Sequence, residues 1–248
     1  MIRIFKDTKE LGLAAAELFV ESAQKAITEK GKFTVALTGG SSPAYLYELL
    51  ASENYRNKVD WKNTFVFWGD ERWVPIDDSK SNAGMAQKVL LDKVDLPKSQ
   101  IFPMWKQNSE PKEYAKQYST ILKIHLGESG QFDLILSGMG DDGHTASLFP
   151  GTQVLDEKVK WVDAYYLEPQ SMFRITLTAP LINKAKRNIV LAFGANKANA
   201  LTEVLSGDKN IQKYPSQLLQ PSDGGELIWL IDEAAAVNLP SEIKSIKK

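Results

Sequence analysis

The chain has 248 residues, a formal net charge of -1 and no cysteine. Near-neutral charge argues against a nucleic-acid or anionic-membrane binder that works by bulk electrostatics, though it leaves room for a local basic pocket. The lack of cysteine removes a disulfide framework, a thiol nucleophile and cysteine-ligated metal sites, and it suits a reducing compartment.

Hydrophobic residues make up 43% and charged residues 25% of the chain, an ordinary globular usage with enough apolar surface for a core. The opening MIRIFKDTKELG mixes charges into its apolar positions, so no secretory core is expected, and no apolar run is long enough to span a bilayer. A cytoplasmic monomer is expected, with no nucleic-acid or membrane partner.

Ile2–Phe5 reads as a short strand. Leu11, Ala15, Leu18, Phe19, Ser22 and Ala26 recur at helical spacing, which predicts an amphipathic helix over 9–29, capped by Thr8 and closed by Gly31. Phe33–Leu37 is a continuous apolar run, consistent with a parallel strand buried on both faces. It ends in TGGSSP, where Ser42 suits an N-cap and Pro43 a first helical position, with a helix to about Ala51. Such a helix start offers unpaired N–H groups to an anion. Thr64–Trp68 is a second buried run, ending in GDERWVP, so Asp70, Glu71 and Arg72 fall at a strand's carboxyl end. Ser81 and Asn82 can cap a helix over 83–91. A short strand is predicted at 101–104, and a helix from Pro111 to about Leu126 carries His125 near its C-terminus, where a cationic imidazole suits the helix dipole.

A buried strand over 132–137 runs into GMGDDGHTASLFPG, residues 138–151. Three glycines, two aspartates and one of the chain's two histidines fall within seven residues. Strands are then predicted at 160–166 and 174–177, a short helix from Pro180, and a buried strand at 188–193. That strand ends in GANK, which places Lys197 at a helix start. Residues 206–225 read as loop around a weak helix, 227–231 as the last buried strand and 233–238 as a short helix. The basic end, 243–248, is expected to fray. This alternation predicts a single α/β domain with a mostly parallel sheet flanked by helices.

A parallel sheet gathers these strand ends on one edge, where open α/β sheets bind ligands. The pocket so formed offers backbone N–H groups, Arg72, Lys197 and His144 beside carboxylates. The chemistry read from these residues is proton transfer by His144, with Asp141 or Asp142 orienting its ring; the spacing does not choose between the two. No G-x-S-x-G elbow signals a serine nucleophile, and no metal-ligand spacing is present.

Taken together, TGGSSP, GDERWVP with SNAGMA, GMGDDGHTASLFPG, RITLT and GANKANAL resemble the 6-phosphogluconolactonase family, in the family's order and over most of the chain. The resemblance implies a Rossmann-like, mostly parallel sheet flanked by helices, of the type shared with glucosamine-6-phosphate deaminase and ribose-5-phosphate isomerase. It implies hydrolysis of 6-phospho-D-glucono-1,5-lactone to 6-phospho-D-gluconate in the oxidative pentose phosphate pathway, with no metal or other cofactor. Residue by residue, His144 matches the catalytic histidine, with Asp142 and Asp141 beside it. Gly39, Gly40, Ser41, Ser42, Arg72 and Lys197 match positions lining the phosphosugar pocket. Asp70, Gly140 and Arg174 are expected to face that pocket too. Ser42 stands where the turn often carries threonine, and both supply a hydroxyl.

Two alternatives remain open at this level. In the related deaminases the histidine is followed by I-A-F-N-E-P. Here Leu148, Phe149 and Pro150 occupy the region of the glutamate they use, which favours the lactonase. A non-catalytic phosphosugar sensor would need the anion site but no general base, and the chain shows no DNA-binding extension.

Overall fold

The computed structural model describes residues 1–40, 42–222 and 224–244. Ser41 of the predicted glycine turn and residues 245–248 of the predicted fraying end lie outside them. In chain order the strands are β1 (Ile2–Phe5), β2 (Phe33–Leu37), β3 (Thr64–Trp68), β4 (Asp70–Arg72), β5 (Leu134–Gly138), β6 (Val162–Leu167), β7 (Met172–Leu177), β8 (Arg187–Ala192) and β9 (Glu226–Asp232). The helices are α1 (Thr8–Lys30), α2 (Ala44–Ala51), α3 (Asn82–Val89), α4 (Pro111–Leu126), α5 (Ala179–Ile182), α6 (Ala198–Ser206) and α7 (Ser241–Lys244).

The continuous apolar runs become a six-stranded sheet of order β1-β9-β8-β5-β2-β3, parallel at every pair. Every residue of β2 is buried, as a strand covered on both faces requires. From β2 the chain adds β3 on one side. It then returns to place β5, β8 and β9 on the other. The strand order therefore reverses between β2 and β5. Ligands of such sheets sit outside the carboxyl ends of the strands at this reversal. Here those ends release Thr38, Gly39 and Gly40 after β2, and Met139 to His144 after β5.

All six predicted apolar-stripe positions of α1 are buried. Its cap is Asp7 rather than Thr8. Asp7 is extended (φ -152°, ψ 176°), and its carboxylate accepts the N–H groups of Lys9 and Glu10 at 2.9 Å, while Thr8 is already helical. At α2, Pro43 rather than Ser42 holds the cap position and no side chain caps it; Ser42 instead lines the cleft described below.

The strands expected at 160–166 and 174–177 form, as β6 and β7, but not in the parallel sheet. They are joined through one short turn at Glu168–Gln170, and so short a connection permits only antiparallel pairing. They build a second sheet of order β4-β7-β6, in which Asp70–Arg72, expected at a strand end, is itself the edge strand. The pleat turns Asp70 and Arg72 to one side and Glu71 to the other.

Two further expectations change. Residues 101–104 make one bridge, Ile101 to Val66, because Pro103 has no N–H to extend it. Residues 233–238 form turns rather than a helix, with the Asp232 carboxylate accepting the Ala235 N–H at 2.8 Å and so competing with helical pairing. Among the described residues, no helix is long and apolar enough to cross a membrane.

Candidate active site

Strand ends from both sheets meet around a cleft of about 250 Å³. Thr38, Gly39, Gly40 and Ser42 enter from the β2–α2 turn, Asp70 and Arg72 from β4, and Asn82 from the start of α3. The loop after β5 contributes Gly140, His144, Ala146 and Phe149; the β6–β7 hairpin contributes Gln170 and Arg174; and Lys197 comes from the turn after β8. Tyr47 of α2 fixes the first of these walls. Its hydroxyl accepts the Thr38 N–H at 3.1 Å and donates to the Thr38 carbonyl at 2.7 Å.

His144 is oriented from two directions. Asp142 Oδ1 lies 2.5 Å from Nδ1 and also accepts the His144 backbone N–H at 3.0 Å. Asp141 is exposed and makes no hydrogen bond or ion pair among the described residues, so the partner is Asp142. Burial works against the ionised Asp142 carboxyl, but the hydrogen bonds and charge of His144 outweigh it and hold the group below its ordinary range. An ionised carboxylate only accepts, so the pairing puts the imidazole proton on Nδ1 and leaves the Nε2 lone pair free. Phe149 stacks on the imidazole, with ring centres 4.0 Å apart and planes at 24°.

Gly140 supplies the room for this pair. A Cβ there would sit 2.1 Å from His144 Nδ1 and 2.5 Å from Asp142 Oδ1. The loop closes on itself through Gly140 N–H to the His144 carbonyl (2.8 Å) and Gly143 N–H to the Gly140 carbonyl (3.1 Å), with Gly143 at φ 80°. The predicted loop at 206–225 supports it from outside, where the Ser216 N–H donates to the Gly143 carbonyl at 2.8 Å.

The opposite wall is cationic. Arg72 and Arg174 are direct cross-strand partners in the β4–β7 pair, an arrangement that destabilises a sheet unless something else compensates. Among the described residues, Asp70 is the only carboxylate lining the cleft. It accepts the Ser147 hydroxyl at 2.6 Å and lies 4.0 Å from Arg174 Nη1. Burial presses the Arg174 pKa below its ordinary value, with Arg72 acting in the same direction and Asp70 opposing. Arg174 Nη2 donates to Gln170 Oε1, and its guanidinium lies 5.5 Å from the Phe149 ring centre. The Nε atoms of Arg72 and Arg174 are buried with no hydrogen-bond partner, and the Lys197 ammonium has none among the described residues. Buried donors left unpaired are costly, so this wall, with three cations against one lining carboxylate, has the charge and the free donors to suit an anion.

Asn82, Phe149 and Gln170 line the cleft without having been singled out as site residues. SNAG directly after GDERWVP is the available signal for Asn82. Phe149 stands in the stretch that differs from the deaminases. Gln170 sits in an ordinary Pro-Gln-Ser turn that carries no signal. His125 lies elsewhere, its ring packed near Phe102, Phe65 and Phe67 at 4.5, 5.3 and 5.6 Å. Burial and nearby Lys32 lower its pKa, opposing the cationic form that the helix end would favour. Among the described residues, no group of three or more His, Cys, Asp or Glu side chains could hold a metal ion.

The model of the family described as glucosamine-6-phosphate isomerases/6-phosphogluconolactonase matches residues 6–229. A 6-phosphogluconolactonase of Synechocystis sp. is 43% identical over 219 residues, covering 87% of this chain and 88% of that protein. The structure of 6-phosphogluconolactonase from Trypanosoma brucei superposes with a TM-score of 0.82 at 30% identity, covering 97% of this chain and 98% of the other. The fold alone is shared with a monomeric glucosamine-6-phosphate deaminase, at a TM-score of 0.80 and 21% identity over 95% of this chain and 98% of that one.

Proposed function

The chain belongs to the glucosamine-6-phosphate isomerase/6-phosphogluconolactonase family, and from that premise we propose that it hydrolyses 6-phospho-D-glucono-1,5-lactone to 6-phospho-D-gluconate in the oxidative pentose phosphate pathway. The observation that carries this reading is one cleft with a carboxylate-paired histidine on one wall and cations with unpaired donors on the other. The deaminase alternative is disfavoured because Leu148, Phe149 and Pro150 occupy the region of the glutamate those enzymes use, and at Phe149 an aromatic ring stacks on His144.

In this mechanism the 6-phosphate binds Arg72, Lys197 and the glycine turn of Gly39, Gly40 and Ser42, with Arg174 beside them. That anchoring fixes the lactone carbonyl near His144 and converts encounter into a positioned reaction. Nε2 of neutral His144 takes a proton from water, whose oxygen attacks C1. Asp142 stabilises the imidazolium that forms. Backbone N–H groups of a glycine loop take the developing oxyanion, a contribution of about 3–4 kcal/mol for one good donor. Collapse breaks the bond from C1 to the ring oxygen, and the imidazolium returns its proton to that oxygen. The product is the open-chain acid. The reading needs no cofactor, and it places the enzyme in the cytoplasm as a monomer whose cleft is built from one chain.

Lactone generated in situ from glucose 6-phosphate by its dehydrogenase tests this. Its disappearance is expected to run well above the spontaneous rate when the protein is present. A rate equal to the spontaneous one would put the sensor reading ahead.

A further inference from the structure

Glu71 is fully buried, yet the chemistry above gives it no task. It lies on β4 between Asp70 and Arg72 and faces away from the cleft. Its two oxygens take four donors: Oε1 accepts the N–H groups of Arg72 (2.8 Å) and Asn82 (2.7 Å), and Oε2 accepts the N–H of Ala83 (2.8 Å) and the hydroxyl of Ser81 (3.1 Å). Three of those donors belong to the start of α3, where N–H groups lack helical partners and an anionic side chain is favoured. One carboxylate thus ties the segment from Ser81 to Ala83 to the back of β4.

That segment holds two parts of the cleft. Arg72 Nη1 donates to the carbonyl of Lys80, one residue before Ser81, at 2.7 Å. This bond consumes one side of the guanidinium and leaves the edge carrying buried Nε for the cleft. Asn82 Nδ2 donates to the Asp70 carbonyl at 2.9 Å, while its Oδ1 occupies the space beside Gly39, where a Cβ would lie 1.8 Å away. The strand bearing the arginine and the turn after β2 therefore meet through residues that Glu71 holds.

We propose that Glu71 is a positioning residue for the phosphate anchor: through Ser81, Asn82 and Ala83 it fixes the Arg72 guanidinium and the packing of the glycine turn. The proposal rests on the phosphosugar reading above but concerns binding rather than the proton transfer. Burial raises the Glu71 pKa to about 7 even though the N–H groups of Ala83, Asn82 and Arg72 pull it down. Four donors converge on this carboxylate, so its loss also costs stability, and function is the sharper test.

Glu71→Gln keeps the shape but turns one acceptor oxygen into a donor, which meets two N–H groups at the Oε1 position or the Ala83 N–H and the Ser81 hydroxyl at the Oε2 position. It is expected to raise KM for the phosphorylated lactone about tenfold or more, with kcat within about twofold of wild type. Calorimetric affinity for 6-phospho-D-gluconate should weaken in the same ratio, and hydrolysis of unphosphorylated glucono-1,5-lactone should be unchanged. Ser81→Ala, which removes one of the four donors, should show the same split at a severalfold level and serves where Glu71→Gln does not fold. A lowered melting temperature with KM and product affinity unmoved, or a loss confined to kcat, overturns the proposal. If wild type binds 6-phospho-D-gluconate but hydrolyses no lactone, the functional reading fails, and the product affinities alone still decide the role of Glu71.

Discussion

Replacing His144 by alanine should lower kcat for the phosphorylated lactone by about 10²–10⁴-fold, with KM close to wild type. The split follows from the geometry. His144 Nδ1 is committed to Asp142, so Nε2 is the group left to accept a proton from water. The groups proposed to bind the phosphate lie on other elements and are untouched by the change. Gly140→Ala should reach a similar loss by another route, because the new Cβ would need the volume held by His144 Nδ1 and Asp142 Oδ1. Initial rates for purified, folded variants check both. Near-normal turnover in His144→Ala would remove the histidine from the chemistry.

Arg72→Ala should act on the other term. With Nη1 spent on the Lys80 carbonyl, the edge formed by Nε and Nη2 remains for a forked contact with phosphate. Losing one or two charge-assisted hydrogen bonds costs about 2–4 kcal/mol, or roughly 30- to 1000-fold in kcat/KM for the phosphorylated lactone. Unphosphorylated glucono-1,5-lactone offers no phosphate to that edge, so wild type and Arg72→Ala should hydrolyse it at similar rates. Wild-type enzyme that handled both lactones equally well would contradict the anchor.

The legible parts of the site are those where one local signal sufficed. A buried apolar run followed by glycine marks the ends of β2 and β5, and a parallel sheet brings such ends to one edge whatever its strand order. Arg72, His144 and Lys197 could be placed on that edge for this reason. The small antiparallel sheet was less legible. β6 and β7 mix apolar residues with polar and charged ones and β4 is only Asp-Glu-Arg, so composition does not announce a second sheet, and the shortness of the Glu168–Gln170 turn is the signal for antiparallel pairing. The pairing of Arg72 with Arg174 depends on that sheet, and so it is a property of register that the sequence does not display. Asp141 and Asp142 are adjacent, chemically identical candidates. Loop geometry, including the positive φ of Gly143, separates them. In sequence Glu71 falls with Asp70 and Arg72 at a strand's carboxyl end, with nothing to set it apart; strand pleating and the start of α3 turn it into a buried cap.

The family holds two chemistries, and offering both substrates to one preparation tests the central claim most directly. Purified protein would be given 6-phospho-D-glucono-1,5-lactone and, separately, glucosamine 6-phosphate, with lactone loss and ammonia release followed over time. Rapid lactone hydrolysis that His144→Ala slows by about 10²–10⁴-fold is the expected result, with no ammonia above background. Ammonia release with lactone decaying only at its spontaneous rate would contradict it.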